Sequence, residues 1–231
     1  MTDPLPMLIH PFTQVLARIV ALMTSRTWIP SKSLWASVLA GCVLLLPLNP
    51  AYGSDENLDT ATFAGGCFWC MEHPFDEVDG VIDTTVGFAG GTVENPSYRQ
   101  VSSGKTGHAE VVQVTYDPER VSYEDLLEVY WVNVDPLDGG GQFCDRGDQY
   151  RTAIFVHDDE QLNAAETSKT TISEQFTEPV ATQIATADEF YPAEDFHQNY
   201  SDRNPIRYNY YRLACGRDRR LAEVWDSPAE E

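Results

Sequence analysis

Basic residues are scarce in this chain. Fifteen lysines and arginines stand against 36 aspartates and glutamates, which gives a formal net charge of −21 over 231 residues. Proteins that bind nucleic acids or anionic membranes do so largely through clustered positive charge. The composition therefore argues against a nucleic-acid-binding protein and against a protein that docks on an anionic membrane.

Two common kinds of binding motif are also missing. The glycines at positions 139–141 are not followed by the Lys-Ser/Thr pair of a phosphate-binding loop, so they argue against a nucleotide site. Cys67 and Cys70 have no second cysteine or histidine pair at the spacing of zinc ligands. These absences argue against nucleotide chemistry and against a structural zinc site.

The apolar run from Trp35 to Leu48 is too short for an ordinary membrane span. It has about fourteen residues, whereas a helix that crosses a bilayer needs about twenty. The run follows the basic residues Arg26 and Lys32 and precedes the small-residue pattern Ala51-Tyr52-Gly53. This order of basic, apolar and small residues is typical of an export signal.

We therefore predict two segments, an export signal over residues 1–53 and a single catalytic domain over residues 54–231. Cleavage is expected near Gly53, and Met23 is an alternative start of the chain. The protein is then exported, to the periplasm in a bacterium. The alternatives are an uncleaved membrane anchor and a lipoprotein attached through Cys42.

The segment from residue 54 onward has the size of one domain with its own core. Its order of predicted elements is β-α-β-β-α-β, followed by a further helix and strand. The predicted strands are 62–64, 81–88, 109–116, 151–157 and 180–187, and the predicted helices begin at Phe68, after Ser122 and after Asp158 or Asp159. This order predicts an α+β fold with a ferredoxin-like split βαβ core, a mainly antiparallel sheet with helices packed on it, and an irregular C-terminal segment.

The stretch Gly65-Gly66-Cys67-Phe68-Trp69-Cys70 carries the strongest chemical signal. Two cysteines three residues apart enclose two aromatic residues where a strand ends and a helix begins. Unpaired backbone N–H groups and the positive end of the helix dipole favour a thiolate at such a place. The pattern predicts redox or nucleophilic chemistry on a small apolar group, and a structural bridge between the two cysteines is the alternative.

One carboxylate is predicted to lie on the core face of the strand 109–116. Glu110 shares a face with Val112, Val114 and Tyr116, because side chains alternate along a strand. Burial at this edge can raise the pKa of a carboxyl group toward neutral pH, where the group can act as a proton donor. The alternative is a surface carboxylate at the end of the strand.

Four motifs together resemble the A-type peptide methionine sulfoxide reductases, over about Phe63 to Trp225. The motifs are Gly66-Cys67-Phe68-Trp69, Thr106-Gly107-His108-Ala109-Glu110, the loop of residues 141–151 and the tail of residues 191–198. One such motif alone would not be specific, but four in the same order are. The resemblance implies a thiol reductase for the S-epimer of methionine sulfoxide, free or in proteins, since one type of enzyme serves each epimer.

The resemblance also implies a role for each of seven side chains. Cys67 matches the nucleophile that attacks the sulfoxide sulfur, and Glu110 matches the acid that protonates the oxygen as the S–O bond breaks. Asp145 matches a carboxylate that orients the site. The other matches are two phenols that help to hold the oxygen and two rings that accept the substrate's methyl group, namely Tyr98, Tyr150, Phe68 and Trp69. Without the resemblance, the tyrosines would be assigned to the edge of the core and Asp145 to a turn.

Two residues are candidates for the thiol that resolves the Cys67 sulfenic acid. A sulfenic acid condenses with a nearby thiol to a disulfide. Cys70 is favoured because it is near in sequence. Cys215 lies in the C-terminal segment where many relatives carry recycling cysteines, but their glycine-rich run is missing here. A relay through both is the third interpretation, and Cys144 is predicted to be a packed loop thiol.

The resemblance implies that the enzyme uses neither a metal nor an organic cofactor. It also implies that the reductant is an external dithiol, either thioredoxin or a membrane-tethered relative of it. The expected partners are oxidised proteins or free methionine sulfoxide, and the protein is expected to be a monomer. One rival hypothesis is a general thiol–disulfide oxidoreductase that uses Cys67 and Cys70. Another is a non-catalytic module that recognises oxidised methionine. His108 and His197 are predicted to serve hydrogen bonding or packing, with a Cys–His pair for acyl transfer as a formal alternative.

Overall fold

The computed structural model describes residues 58–225, and the predicted export signal over residues 1–53 lies outside them. The strands are β1 (Asp59–Gly65), β2 (Val81–Ala89), β3 (Ala109–Tyr116), β4 (Gly141–Gln142), β5 (Asp145–Arg146), β6 (Thr152–Val156), β7 (Gln183–Thr186) and β8 (Tyr191–Pro192). The helices are α1 (Phe68–Asp76), α2 (Tyr98–Val101), α3 (Tyr123–Val132), α4 (Asp159–Ser173), α5 (Tyr200–Arg203), α6 (Pro205–Cys215) and α7 (Arg217–Trp225). Within the described residues, no helix is both long enough and apolar enough to cross a membrane.

The large sheet has the strand order β7-β6-β1-β3-β2-β8. Its four central strands, β6-β1-β3-β2, pair antiparallel with their neighbours. β8 continues this pattern at one edge, whereas β7 joins β6 in parallel at the other. The four central strands, together with α1 and α3, form the predicted split βαβ core. The predicted α+β fold class is confirmed.

The main core lies between this sheet and the helices α1, α3 and α4. Phe63 of β1 is fully buried and stacks on Phe75 and Tyr130, with ring centroids 5.0 and 5.2 Å away. α3 begins as predicted, because Ser122 and Asp125 form a reciprocal capping box. Burying an aromatic or aliphatic side chain of this size contributes about 1.5–3 kcal/mol. These contacts hold β1, and therefore the cysteine stretch that follows it, in a fixed position.

The C-terminal segment differs from the prediction of an irregular segment, because it contains three helices. Pro205 does not interrupt these helices, because it occupies the first turn of α6, where its missing N–H has no helical partner to lose. Gly216 ends α6 in the left-handed conformation, with φ at 71°, and α7 follows at once. These helices carry several residues of the site described below.

Candidate active site

Cys67 lies at the turn between β1 and α1, and the two glycines before it make this turn possible. The φ angle of Gly66 is 87°, and a Cβ atom on Gly65 would lie 2.6 Å from Sδ of Met71. Cys67 is the N-cap residue of α1 and is only 6% exposed. The glycines therefore let the chain turn sharply and place the thiol against the end of the sheet.

A cavity with about 300 Å³ of empty volume, part of it open to solvent, lies at Cys67. Its lining consists of a thiol, two carboxylates, an indole, a benzyl ring and three phenols, from Cys67, Glu110, Asp145, Trp69, Phe68, Tyr98, Tyr150 and Tyr211. The structure thus brings all seven of the side chains assigned roles from the sequence into one cavity. Tyr211 is the lining residue that sequence reasoning missed.

Glu110 is buried beside Cys67 rather than exposed at the end of its strand. It is 2% exposed, and its Oε2 accepts a hydrogen bond from the backbone N–H of Phe68 at 3.1 Å. Burial raises the pKa of Glu110 to about 8, against the effect of that N–H, and the charges of Asp145 and Cys70 raise it further. The protonated form of Glu110 is therefore favoured at neutral pH, and its side chain lines the cavity.

Tyr98 and Tyr150 supply two phenols on the same side of the cavity. Tyr98 begins α2, and Tyr150 ends a 3₁₀ turn that precedes β6. Burial, reinforced by the charge of Glu110, raises the pKa of Tyr98 to about 12 and also raises the pKa of Tyr150. Both phenols therefore remain protonated hydrogen-bond donors at any ordinary pH.

Trp69 forms a flat wall of the cavity and is held on two sides. Its ring stacks on Tyr200 at 3.8 Å with an interplanar angle of 8°, and its indole N–H donates to Nδ1 of His197 at 3.2 Å. His108 instead binds the backbone of the loop between β2 and β3. Among the described residues, neither histidine hydrogen-bonds to Cys67, so the Cys–His alternative lacks its defining contact.

Asp145 and Tyr211 form a hydrogen-bonded pair at another side of the cavity. The Tyr211 hydroxyl donates to Oδ2 of Asp145, and the Tyr211 ring meets Trp69 edge-on at 6.2 Å. Burial raises the pKa of Asp145, while Tyr211 and the charge of Arg217 oppose this rise. Tyr211 projects from α6, and because that helix was not predicted, only the density of tyrosines in the tail could have pointed to it.

Cys144 and Cys215 form a disulfide, whereas Cys67 and Cys70 are free and buried. The prediction that Cys144 is a packed loop thiol is wrong. Cys144 is exposed between β4 and β5, and the C-terminal end of α6 brings Cys215 to it. The pairing joins residues 71 positions apart and depends on α6, so the sequence pattern contained no local signal for it. The Cys215 Sγ is also 4.0 Å from Oδ2 of Asp145.

The thiols of Cys67 and Cys70 share a hydrogen bond and titrate as a pair. Burial, the bond to Cys70 and the charges of Glu110 and Asp145 raise the pKa of Cys67. The hydrogen bond from Cys67, followed by the charge of Arg217, lowers the pKa of Cys70 to about 7 against the effect of burial. These surroundings favour ionisation of Cys70 over ionisation of Cys67, although the helix dipole alone would favour a thiolate at Cys67.

Known proteins that resemble this chain support the chemistry that the residues lining the cavity indicate. A family model described as peptide methionine sulfoxide reductase matches residues 59–229. This chain belongs to the peptide methionine sulfoxide reductase family. The MsrA enzyme of Bacillus licheniformis is 51% identical to it over 178 residues, which are 76% of this chain and 98% of that relative. The MsrA enzyme of Bacillus pumilus is 49% identical over 172 residues, with 74% and 97% covered.

Solved structures of the same family share the fold. The reduced form of Mxr1 from Saccharomyces cerevisiae has a TM-score of 0.63 and 33% identity, with 66% of this chain and 88% of that chain covered. Methionine sulfoxide reductase A of Corynebacterium diphtheriae has a TM-score of 0.60 and 33% identity, with 66% and 78% covered. The reductase is therefore an oxidoreductase that acts on methionine sulfoxide, as predicted, and the general thiol–disulfide oxidoreductase is set aside.

Glu72 is a second buried carboxylate of this reductase and supports the cavity indirectly. It lies in α1, and its two oxygens accept hydrogen bonds from the backbone N–H groups of Asn199 at 2.8 Å and Tyr200 at 3.2 Å. Tyr200 is stacked on Trp69, so the hydrogen bond between Glu72 and the Tyr200 backbone fixes the ring that supports the Trp69 wall of the cavity. Burial raises the pKa of Glu72 to about 7, against the effect of the Asn199 N–H.

We expect Glu72→Ala to lower the free energy of unfolding by about 1–3 kcal/mol, because two backbone donors lose their acceptor. Because the folded-state pKa lies above the ordinary value of 4.5, the contribution of Glu72 is full below about pH 4.5 and is lost as the pH rises through 7. Urea denaturation at pH 5 and pH 8 should therefore show the larger loss at pH 5. Glu77→Ala, at an exposed position just after α1, is the matched control, and a loss independent of pH would contradict the assignment.

Proposed function

We propose that this reductase acts on the S-epimer of methionine sulfoxide, free or in proteins, with Cys67 as nucleophile and Glu110 as acid. The observation that carries the proposal is the meeting of a free thiol and a protonated carboxyl in one aromatic-walled cavity. A sulfoxide oxygen is a poor leaving group until it is protonated, so the reaction needs both groups at once. The chain offers them on adjacent elements, at the start of α1 and in β3.

In the first step, Sγ of Cys67 attacks the sulfoxide sulfur while Glu110 transfers its proton to the oxygen. The proton of Cys67 passes to the Cys70 thiolate through the hydrogen bond between them. The protonated oxygen then passes from the substrate sulfur to Sγ of Cys67. In this transfer the S–S bond formed in the attack and the S–O bond of the substrate break, an S–O bond to Cys67 forms, and methionine leaves with Cys67 as a sulfenic acid. The substrate gains two electrons from Cys67, and the total charge of the three groups is unchanged.

The remaining lining residues position the sulfoxide for this step. The phenols of Tyr98 and Tyr150 donate to the oxygen without adding charge, and Asp145 orients the polar side of the cavity. Phe68 and Trp69 accept the methyl group, because sulfur beside an aromatic ring is favourable by about 0.3–1.5 kcal/mol. Tyr200 and His197, which hold Trp69, keep this wall in place.

Cys70 is proposed as the thiol that resolves the sulfenic acid. It lies three residues from Cys67 in the first turn of α1, and its backbone N–H bonds to the Cys67 carbonyl at 3.0 Å. Its sulfur attacks that of Cys67, the S–O bond breaks, and the hydroxide leaves as water with the Cys70 proton. Cys215 cannot act directly while it is bonded to Cys144.

Regeneration is proposed to run through the Cys144–Cys215 disulfide. A Cys67–Cys70 bridge would be buried, whereas Cys144 is exposed to a large reductant. A thioredoxin-type dithiol would reduce Cys144–Cys215 with two electrons and two protons. The released thiols would then reduce Cys67–Cys70 by exchange and become the disulfide again.

Peptide mapping by mass spectrometry after one substoichiometric turnover tests this order of events. The fully reduced protein should first form Cys67–Cys70 and then, more slowly, Cys144–Cys215. The variant Cys215→Ser should retain turnover with dithiothreitol but lose at least about tenfold of its turnover with thioredoxin. A first bridge between Cys67 and Cys215 would instead assign the resolving role to Cys215.

The cellular setting is also part of the proposal. The order of residues in the segment 1–53 supports export to the periplasm with cleavage near Gly53, and the same mass spectrum reads the mature N-terminus. The acidic composition supports a protein that does not bind nucleic acid. The proposed steps use cysteine sulfur alone for electron transfer and require neither metal nor organic cofactor. We propose that the enzyme acts as a monomer.

A further inference from the structure

Arg217 is a buried arginine beneath the turn that carries Cys67. It is the first residue of α7 and is 1% exposed, and it ranks among the largest fully buried side chains of the described residues. A charged guanidinium is almost never fully buried unless it is paired with an anion. Its position therefore requires an explanation in terms of charge.

The hydrogen bonds of Arg217 go to neutral groups. Its Nη2 donates to the carbonyl of Asn133 at 2.5 Å and to Sδ of Met71 at 2.9 Å, and both Nη atoms lie 3.4 Å from the carbonyl of Gly65. The guanidinium also lies 4.5 Å from the ring centroid of Phe143, and its Nε is buried without a hydrogen-bond partner. Two of these contacts, Gly65 and Met71, lie within two residues of Cys67 and Cys70 in sequence, yet none of the contacts neutralises the charge of Arg217.

No carboxylate of the described chain lies within ion-pair distance of Arg217. Its neighbours Arg212 and Arg220 do have such partners, Asp218 at 2.5 Å and Asp135 at 2.7 Å. A buried cation without an anion is strongly destabilising, so a negative charge must be close enough to compensate it. The compensating anion is therefore not one of the usual surface carboxylates.

Five titratable groups interact electrostatically with Arg217, from α1, β5 and α6. They are Cys70, Cys67, Asp145, Arg212 and Tyr208. Arg212 is itself positively charged and disfavours the charge of Arg217, and Tyr208 stays neutral because burial raises its pKa. Asp145 also interacts with the charge of Arg217, but it is not among the largest charges that act on Arg217. Among the charges that act on Arg217, that of Cys70 is the largest, and the charge of Arg217 in turn favours the thiolate form of Cys70.

We propose that Arg217 is the counter-ion of the Cys70 thiolate and thereby a positioning residue for the resolving step. Because Met71 and Gly65 hold the guanidinium beneath the turn, the positive charge stays next to the thiol pair throughout the cycle. The inference rests on the proposed resolving role of Cys70. With Arg217 present, Cys70 loses its proton readily as its sulfur bonds to that of Cys67 and water leaves.

The direct test is a thiolate titration by absorbance at 240 nm of the full chain, with the Cys144–Cys215 disulfide intact. Arg217→Met should raise the midpoint of the first thiolate by about one pH unit or more, since the nearby positive charge is lost. Arg217→Lys should raise it less, because the charge is kept while the fork of hydrogen bonds is lost. In a Cys70→Ser background, Arg217→Met should have little effect, which assigns the charge to Cys70.

A second measurement follows the resolving step itself. After one turnover in the presence of dimedone, which traps sulfenic acids, Arg217→Met should give about tenfold more Cys67 adduct than the parent, because Cys70 ionises less readily. Arg220→Met is the matched control, since Arg220 lies in the same helix but is paired with Asp135. It should change neither the titration nor the trapping.

The outcomes separate this inference from the proposed function. An unchanged thiolate midpoint in Arg217→Met overturns the counter-ion role, whatever the resolving thiol is. A raised midpoint in Arg217→Met, combined with unchanged disulfide formation by Cys67 in Cys70→Ser, supports the charge pair but refutes Cys70 as the resolving thiol. If Arg217→Met does not fold, Arg217→Gln decides, because it removes the charge but keeps polar hydrogen-bond donors; an unchanged midpoint and unchanged trapping in that variant overturn the inference.

Discussion

Cys67→Ser is expected to abolish the reduction of methionine-S-sulfoxide, with a loss of about 10⁴-fold or more in kcat/KM. A serine hydroxyl is almost fully protonated at neutral pH and is a far weaker nucleophile than a thiol. It also cannot form the sulfenic acid on which the later steps depend. Discontinuous assays that measure methionine by chromatography, with dithiothreitol as reductant, would detect this loss directly.

The loss should not come from unfolding. Cys67 lies at the N-cap of α1, a position at which serine is well tolerated. The thermal midpoint of Cys67→Ser should therefore stay within a few degrees of the parent. Cys144→Ser, which removes an exposed sulfur outside the cavity, is the matched control and should keep its turnover with dithiothreitol. Retained sulfoxide reduction in Cys67→Ser would contradict the assignment of Cys67 as the nucleophile.

Glu110→Gln is expected to slow the chemical step by about 10²–10⁴-fold, which is the usual range for a lost general acid. Glutamine keeps the size of the side chain and can still accept the N–H of Phe68, so the effect should fall on kcat more than on KM. Pre-steady-state formation of methionine measures this step. Glu128→Gln, at an exposed position of α3, is the matched control.

The pH dependence gives a second readout of Glu110. Because its pKa is raised to about 8, the parent should be active while Glu110 is protonated and should lose activity as the pH rises through 8. The variant should lack this alkaline limb. An unchanged rate together with an unchanged pH profile would remove Glu110 from the acid role.

The same shift fixes the sign of the effect on stability. The folded-state pKa of Glu110 lies above the ordinary value of 4.5, so its contribution is full below about pH 4.5 and is lost as the pH rises through 8. Relative to the parent, Glu110→Gln should therefore become more stable between pH 5 and pH 9. A thermal midpoint that falls in this range relative to the parent would contradict the buried, protonated carboxyl.

Local patterns predicted much of the fold and most of the cavity lining. Alternation along β3 placed Glu110 on the inner face, and its burial agrees. The capping box at Ser122 predicted the start of α3 correctly. The lining residues from Phe68 to Tyr150 were assigned through a family resemblance, and the structure brings them into one cavity. These features depend on short-range periodicity or on motifs, which a linear sequence displays directly.

The C-terminal helices and everything that depends on them were not visible in local patterns. The segment that holds α6 was predicted to be irregular, so Tyr211 was missed and Cys144 was predicted to be a packed loop thiol. In the fold, α6 carries Tyr211 to Asp145 and Cys215 to Cys144. Contacts between residues about 70 positions apart depend on how helices dock, which no short window of sequence contains.

Motifs and side-chain periodicity were enough to identify the family and the α+β fold class, and the same motifs supplied the prediction that Cys67 is the nucleophile. Only the folded protein brings together the groups that favour ionisation at one sulfur of the thiol pair over the other. Burial and two carboxylates disfavour a thiolate at Cys67, and a guanidinium from α7 favours it at Cys70. An electrostatic balance of this kind depends on distances and on the exclusion of water, and both arise only when the chain is folded.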